Sequence, residues 1–415
     1  MQAKRQDRIF RNIRMIDGTP VELLCRDGRI AAIEPQPQGG TAGTGDGFTP
    51  TGVAVHDGGN RLLLPPLVES HIHLDKTLWG QAWRPNSGGP RLKDYISNER
   101  RILREIKEPV GSRAAALLEH CLALGSLKMR SHIDIDPEIG LHHAEALLEL
   151  RERYRNLVDL DFVAFPQSGL LHAPGTAELM EQAIEMGVET IGGLDPAGID
   201  HDPIGHLRLI FDLAAKHGCG IDIHLHDAGE LGLWQIDRIA DFTAASGLAG
   251  KVMVSHAYCL GAVPTAQIEV LGQRLAALDI SLMTTAPSDT TLPPVDFLQQ
   301  LGVNICCGSD NIRDAWAPFG TGDMLERALF LALRLDWSKD TEIAAAFDCV
   351  SQNGAHALGL DSQDRYGLAP GCPADFVLVD AETLGDAIAR RPHARTIVRG
   401  GTVIAEDGSL IRSQR

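Results

Sequence analysis

Between residues 62 and 311 short apolar stretches recur, and each closes on polar residues. They read LLLPPLVESHIH, LKMRSHIDID, LVDLDFVAFPQ, VETIGGLDP, GIDIHLHD, KVMVSHAY, DISLMTTAPS and VNICCGSDN. Between them lie AEALLELRERYRNL, ELMEQAIEMG, LRLIFDLAAKHG and IEVLGQRLAAL, with apolar residues at i, i+3, i+4 and i+7 of a helix. Strands without polar alternation, each followed by an amphipathic helix, predict a parallel sheet covered by helices. Eight such units predict a (β/α)8 TIM-type barrel.

The two chain ends follow a different rhythm. RIFRNIRMID, VELLCRDGRIAAIEP and VAVHDGGNRLL at one end, and YGLAPGCPADFVLVDAETL and ARTIVRGGTVIAEDG at the other, are short strands around Asp-Gly and Gly-Gly turns. Neither end is large enough to fold alone, so the two are expected to pair. The expectation is a small β-sandwich from residues 8–61 plus 363–410, and a barrel domain from 62–362. The Gly/Thr-rich QPQGGTAGTGDGFTPTG has no apolar period and reads as a mobile loop.

Composition narrows the partners. A formal charge of −17 over 415 residues, without a basic patch, argues against nucleic acid and anionic membranes. No apolar run is long enough to cross a bilayer, and the mixed, polar MQAKRQDRIFRNI does not read as a signal peptide. Eight scattered cysteines without a C-x-x-C pair fit reduced thiols, so the expected setting is cytoplasmic. Cys306 and Cys307, in an apolar run, read as small buried hydrophobes.

In such a barrel chemistry gathers where the strands end. The first strand ends in His71 and His73, which share a face, and the second carries His132, Asp134 and Asp136. Gln167, Asp195, the group His224, His226 and Asp227, then His256 close the next four. Thr284, Thr285 and Ser288 close the seventh, and Asp310 and Asn311 the eighth. Imidazoles with a carboxylate suit one divalent metal ion, Zn²⁺ or Fe²⁺. An ion held by His71, His73, His224 and Asp310 would leave room for a water. It would lower that water's pKa from about 16 to about 7, making hydroxide available at neutral pH.

HIHLD after an apolar strand, a histidine on the fifth strand, SH on the sixth and SDN on the eighth resemble the amidohydrolase superfamily, as does GLAPGCPADFVLVD. Within it VAFPQSG, SHIDID, HLHD, SHAYC and GSDNIRDAWAPFGTGDM are similar to the cytosine deaminase branch, and most of all to the isopropylamidohydrolases acting on N-isopropylammelide. The likeness runs from about Arg8 to about Glu406. It implies hydrolytic removal of an amino or alkylamino group from a nitrogen heterocycle, with metal-bound hydroxide attacking the ring carbon. It implies His71, His73, His224 and Asp310 as ligands, and Asp310 as acceptor of the attacking water's proton. By the same likeness His256 holds the nucleophile or oxyanion, and Gln167 bonds the substrate ring. No lysine stands on the third or fourth strand to bridge two ions, which fits a single one.

The likeness has departures. Asp227 stands where cytosine deaminase has a glutamate that shuttles a proton, with His226 before it. Strand alternation puts His226, not Asp227, on the face of His224, and either residue can be the donor. Asn311 replaces a second aspartate, which points to a ring other than cytosine, such as an N-alkylated aminotriazine. A hydrolase of another cyclic amide or amidine, and an inactive barrel scaffold, are the alternatives.

Other residues divide between chemistry and structure. Lys76 either pairs with Asp75 or reaches the substrate; Trp316 and Phe319 either line the pocket or pack a loop. His132 is either a support for a ligand imidazole or a core histidine. His142 and His143 are expected to face solvent, and WRPNSGGPRLKDY to form a lid. The expected partner is a small heterocycle, and barrel hydrolases of this size often assemble as homo-oligomers.

Overall fold

The computed structural model describes residues 7–36, 52–85, 89 and 92–411. The Gly/Thr-rich stretch and the middle of the lid segment fall largely outside them.

Eight parallel strands follow one another in sheet order: Leu67–Ile72, Ser126–Asp134, Asp159–Phe165, Thr190–Leu194, Gly220–Leu225, Val252–His256, Ser281–Thr284 and Ile305–Cys307. Helices including His142–Tyr154, Thr176–Glu185, Pro203–His217 and Thr265–Ala277 cover them, where the 3.6-residue period predicted helix. The ring closes where Ile72 bridges Asp310 in parallel, the Asp310 N–H donating to the His71 carbonyl at 2.7 Å. The predicted (β/α)8 barrel is therefore the observed one.

The apolar run Leu62–Ile72 contains two strands rather than one. Pro65 and Pro66 have no N–H to give a ladder, so Ala54–Leu64 ends before them and pairs in the other sheet. That second eight-stranded sheet joins strands from both chain ends, all pairs antiparallel except Arg8–Arg14 beside Ala54–Leu64. Its Asp27-Gly28 turn has both residues at positive φ, the geometry of a two-residue hairpin that only glycine and short polar residues adopt readily. Alternation then splits its side chains. Leu63, Phe376 and Leu378 join Phe10, Ile13 and Leu23 in a core of the small domain. Leu62, Leu64, Val377 and Val379 join the barrel core instead.

A buried ion pair fastens the two parts. Arg395, fully buried on the strand Arg395–Arg399, donates to Asp323 Oδ1 at 2.9 Å and Oδ2 at 2.6 Å and to the Leu124 carbonyl at 2.7 Å. Asp323 also caps the helix Met324–Leu335 by accepting from the Leu325 N–H at 3.0 Å. Removing one partner of such a pair leaves a bare buried charge. Arg395→Met is expected to lower unfolding free energy by about 3–5 kcal/mol in urea titration.

Cys306 and Cys307 are both fully buried, and Cys306 packs with Met253 and Met283 inside the barrel. No helix among the described residues is long and apolar enough to cross a membrane.

Candidate active site

The ends of four barrel strands bring His71, His73, His132, His224 and His256 into one cluster. Ring centroids lie 4.5 Å apart for His71 and His224, 5.5 Å for His73 and His224, and 5.0 Å for His224 and His256. Asp310 Oδ1 comes within 3.1 Å of His73 Nε2 and 3.5 Å of His71 Nε2. Two overlapping sets of four could each hold an ion: His71, His73, His132 and His224, and His71, His224, His256 and Asp310. The ligand atoms within each set lie within 4.8 Å of one another.

The backbone bends to make this possible. His256, the last residue of its strand, and Asp310, in the turn after the eighth, take positive φ, 74° and 60°, which turns their side chains from the barrel wall toward its mouth.

The donor set fits a divalent ion. His71 Nε2, His73 Nδ1, His256 Nε2 and both ring nitrogens of His132 and His224 have no hydrogen-bond partner, although these rings are at most 3% exposed. Buried polar atoms are rarely left so, and unpartnered imidazole nitrogens gathered this closely beside a carboxylate are what a borderline metal takes. Burial, reinforced by the His71 ring, holds the His224 pKa well below its ordinary value. Burial and His226 do the same for His256, and burial pushes His132 down to about 3. These rings are therefore neutral and able to coordinate. Burial alone would raise the Asp310 carboxyl, but its contacts with His71 and His73 outweigh that and hold it well below the carboxylate range.

Past the fifth strand the side chains part. His226 stacks on His256 at 4.4 Å between centroids, and its Nδ1 pairs with Asp195 Oδ2 at 2.8 Å. Burial depresses its pKa, yet Asp195 more than compensates and the net shift is upward. Asp227 turns the other way: its Oδ2 accepts from Gln235 Nε2 at 2.9 Å and from the Gly198 N–H at 3.1 Å.

Beside the histidines lies a charged wall. Lys76, buried, donates to the Gln167 side-chain carbonyl and lies 3.0 Å from Asp134 Oδ1 and 3.5 Å from Glu99 Oε2. Its partners are thus Asp134 and Glu99; Asp75 accepts from His143 Nδ1 at 2.9 Å instead. His143 is therefore turned inward, contrary to the expectation of a solvent-facing ring, while the neighbouring His142 is exposed. The Lys76 ammonium lies 5.3 Å from the Phe165 ring centroid and 5.4 Å from that of Trp316. Trp316 Nε1 donates to Glu99, whose carboxyl is pushed up to about 8, chiefly by burial. Asn311 donates to Asp314 Oδ2 at 2.5 Å, and Asp314 Oδ1 accepts from the Trp316 N–H at 2.8 Å, so Asn311 braces the loop carrying Trp316. Phe319 is 79% exposed.

Glu99 and Tyr258 are additions to the residues picked from sequence. The Tyr258 hydroxyl lies 3.2 Å from His256 Nδ1. Glu99 belongs to the helix Leu92–Glu105, and nothing in its local pattern marked it. A cavity of about 380 Å³ opens at the opposite end of the barrel among the strand starts, but no histidine lines it, and its Arg130 and Asp161 pair with each other.

A barrel with this cluster at its C-terminal mouth defines a class, and the sequence agrees. A profile of the amidohydrolase family matches residues 114–405, and the chain belongs to that family. It is a hydrolase of carbon–nitrogen bonds in a family that typically uses a divalent metal. N-isopropylammelide isopropyl amidohydrolase of Pseudomonas sp. (strain ADP) is 30% identical over 363 residues, 86% of this chain and 89% of that protein. The crystal structure of N-isopropylammelide isopropylaminohydrolase from Burkholderia multivorans ATCC 17616 superposes with a TM-score of 0.92 at 38% identity, covering 98% of this chain and 100% of that one. That of 5-methylcytosine deaminase from Klebsiella pneumoniae, liganded with 5-fluorocytosine, gives 0.81 at 28% identity over 98% and 99% of the two chains. The resemblance drawn from the strand-end motifs holds.

Proposed function

We propose that this protein removes an amino or alkylamino group from a planar nitrogen heterocycle by metal-dependent hydrolysis, with an N-alkylated aminotriazine as the favoured substrate class. One observation carries the reading: buried imidazoles with unpartnered nitrogens converge beside Asp310 at the mouth of the barrel. His71, His73, His224 and Asp310 would hold a single Zn²⁺ or Fe²⁺. When bound, the ion supplies Lewis acidity and an activated water at neutral pH.

The chain's own groups divide the remaining work. Asp310, ionised and partly open to the mouth, takes the proton of the attacking water at its carboxylate. His256 Nε2 faces the cluster; with the Tyr258 hydroxyl donating to Nδ1, the neutral ring keeps its proton on Nε2 and offers it to the developing oxyanion. His226, its Nδ1 held by Asp195 and its pKa shifted upward, gives one proton from its other nitrogen to a ring nitrogen, and Asp310 passes the water's proton to the departing amine. Asp227, engaged by Gln235 and Gly198, fixes the loop beneath it. Gln167 and Lys76 bind the polar edge of the ring, Trp316 covers a face, and Asn311 holds the Trp316 loop.

The two N-isopropylammelide enzymes among the relatives, at 30% and 38% identity, support the alkylamino substrate over the pyrimidine one. The test is to incubate zinc- and iron-loaded protein with N-isopropylammelide and with 5-methylcytosine and to follow amine release. Isopropylamine from the first compound is the expected product. Ammonia from the second alone would move the substrate to pyrimidines, and turnover of neither by protein carrying a full equivalent of ion would sink the assignment.

A further inference from the structure

Beneath the histidines the barrel interior holds charges where most barrels hold aliphatic side chains. Arg130 on the second strand and Asp222 on the fifth are not sheet neighbours, so their 3.7 Å approach crosses the barrel interior. Ser255 on the sixth strand donates its hydroxyl to Asp222 Oδ1 at 2.7 Å, and the serine Oγ lies 3.0 Å from His71 Nδ1 on the first strand. His71, Ser255 and Asp222 are all 0% exposed, so no water competes for these contacts.

The direction of this chain of hydrogen bonds is fixed by proton count. An ionised carboxylate has no proton to give, so Ser255 must spend its single hydroxyl proton on Asp222. Its oxygen can then only accept, and His71 must carry its proton on Nδ1. That leaves the lone pair of His71 on Nε2, which faces the ligand cluster and has no hydrogen-bond partner. Arg130 holds the other end: near Asp222 Oδ2 it also donates through Nε to Asp161 Oδ2 at 2.7 Å. His132 Nε2 lies 3.5 Å from the same Asp222 oxygen.

We propose that Asp222 and Ser255 are positioning residues that set His71 in the Nδ1–H tautomer, so that the metal-facing nitrogen is ready before any ion arrives. The inference rests on the reading of His71 as a ligand. It adds that the site's affinity is set from a charged layer one step deeper in the barrel. Outer partners of ligand imidazoles typically contribute about 10–100-fold to metal affinity.

The discriminating variant is Asp222→Asn, which keeps the shape. Arg130 has only protons to offer, so it claims the amide oxygen and turns the amide NH₂ toward Ser255. The serine then accepts from asparagine and donates to His71 Nδ1, which moves the ring proton to Nε2 and blocks the metal face. Two measurements on the full chain read this: ¹⁵N NMR of the imidazoles in metal-free protein, and the zinc dissociation constant by chelator competition.

The expected result is His71 as Nδ1–H in the wild type and Nε2–H in Asp222→Asn, with affinity about 10–100-fold weaker in the variant and near wild type in Ser255→Thr, which keeps the hydroxyl. Should Asp222→Asn not fold, Ser255→Ala is measured in its place, and the same loss of affinity is expected. Zinc binding within twofold of wild type in the folded variant, or a wild-type His71 protonated on Nε2, overturns the proposal. A wild type that binds no zinc while His71 is Nδ1–H would instead overturn the metal reading and leave the relay standing.

Discussion

His224→Ala is expected to lose its divalent ion and its hydrolytic activity together. His224 belongs to both sets of groups able to hold an ion, and neither ring nitrogen has another partner. Without it the first set keeps only His71, His73 and His132, and the second only His71, His256 and Asp310. The electrostatic contribution of a catalytic ion runs to several kcal/mol, and about 1.4 kcal/mol is a factor of ten, so kcat/KM should fall on the order of 10⁴-fold. Metal content after dialysis should drop below about one-tenth equivalent, and zinc should no longer raise the melting temperature, since an ion that does not bind the native state cannot stabilise it. The fold should survive, because the removed ring breaks no side-chain hydrogen bond. Retention of a full equivalent of ion by the folded variant would remove His224 from the cage and the proposed chemistry with it.

The barrel and the outline of this site were legible because both depend on short-range rules. Parallel strands buried on both faces are mostly apolar, so clusters of polar residues mark where each strand ends, and the fold gathers those ends in one place. Period-two alternation also placed His226 with the histidine cluster and Asp227 away from it, one step beyond the last residue of the strand. Contacts crossing the barrel were out of reach. Asp222, Ser255 and His71 meet only through closure of the ring, and no periodicity links strands so far apart in sequence. A signal was nevertheless present: Asp222 and His224, like Arg130 and His132, stand two apart on buried strands, so a charge precedes each histidine on its own face. The partners of Lys76, Asp134 and Glu99, were out of reach for a simpler reason. Asp75 is its neighbour in sequence, but the chain turns at both residues past the end of the first strand, and Asp75 meets His143 instead.

Gly308→Ala is expected to unseat the seam on which the site is built. The eighth strand is only three residues long, Ile305–Cys307, and closes on the first through the turn that follows. There the Ser309 N–H donates to Glu69 Oε1 at 2.8 Å and the Asp310 N–H to the His71 carbonyl at 2.7 Å. A Cβ on Gly308 would lie 2.5 Å from His71 Cβ and 2.8 Å from both the His71 nitrogen and carbonyl oxygen. Backbone cannot rotate aside as a side-chain tip can, so either the first strand shifts or the turn lifts away. Both move a ligand: His71 in the one case, Asp310 in the other. The cost should exceed about 3 kcal/mol, at the upper end of what overpacking exacts. Gly385→Ala is the control, since its added methyl would find nothing closer than Ile343 Cδ1 at 3.7 Å within the helix Leu384–Arg390. Its stability should stay within about 1 kcal/mol of wild type. Urea unfolding of the two variants, with zinc affinity measured alongside, separates the outcomes. If Gly308→Ala unfolds with the midpoint and slope of Gly385→Ala and binds zinc equally well, the first and eighth strands do not meet as closely as the Ile72–Asp310 bridge requires.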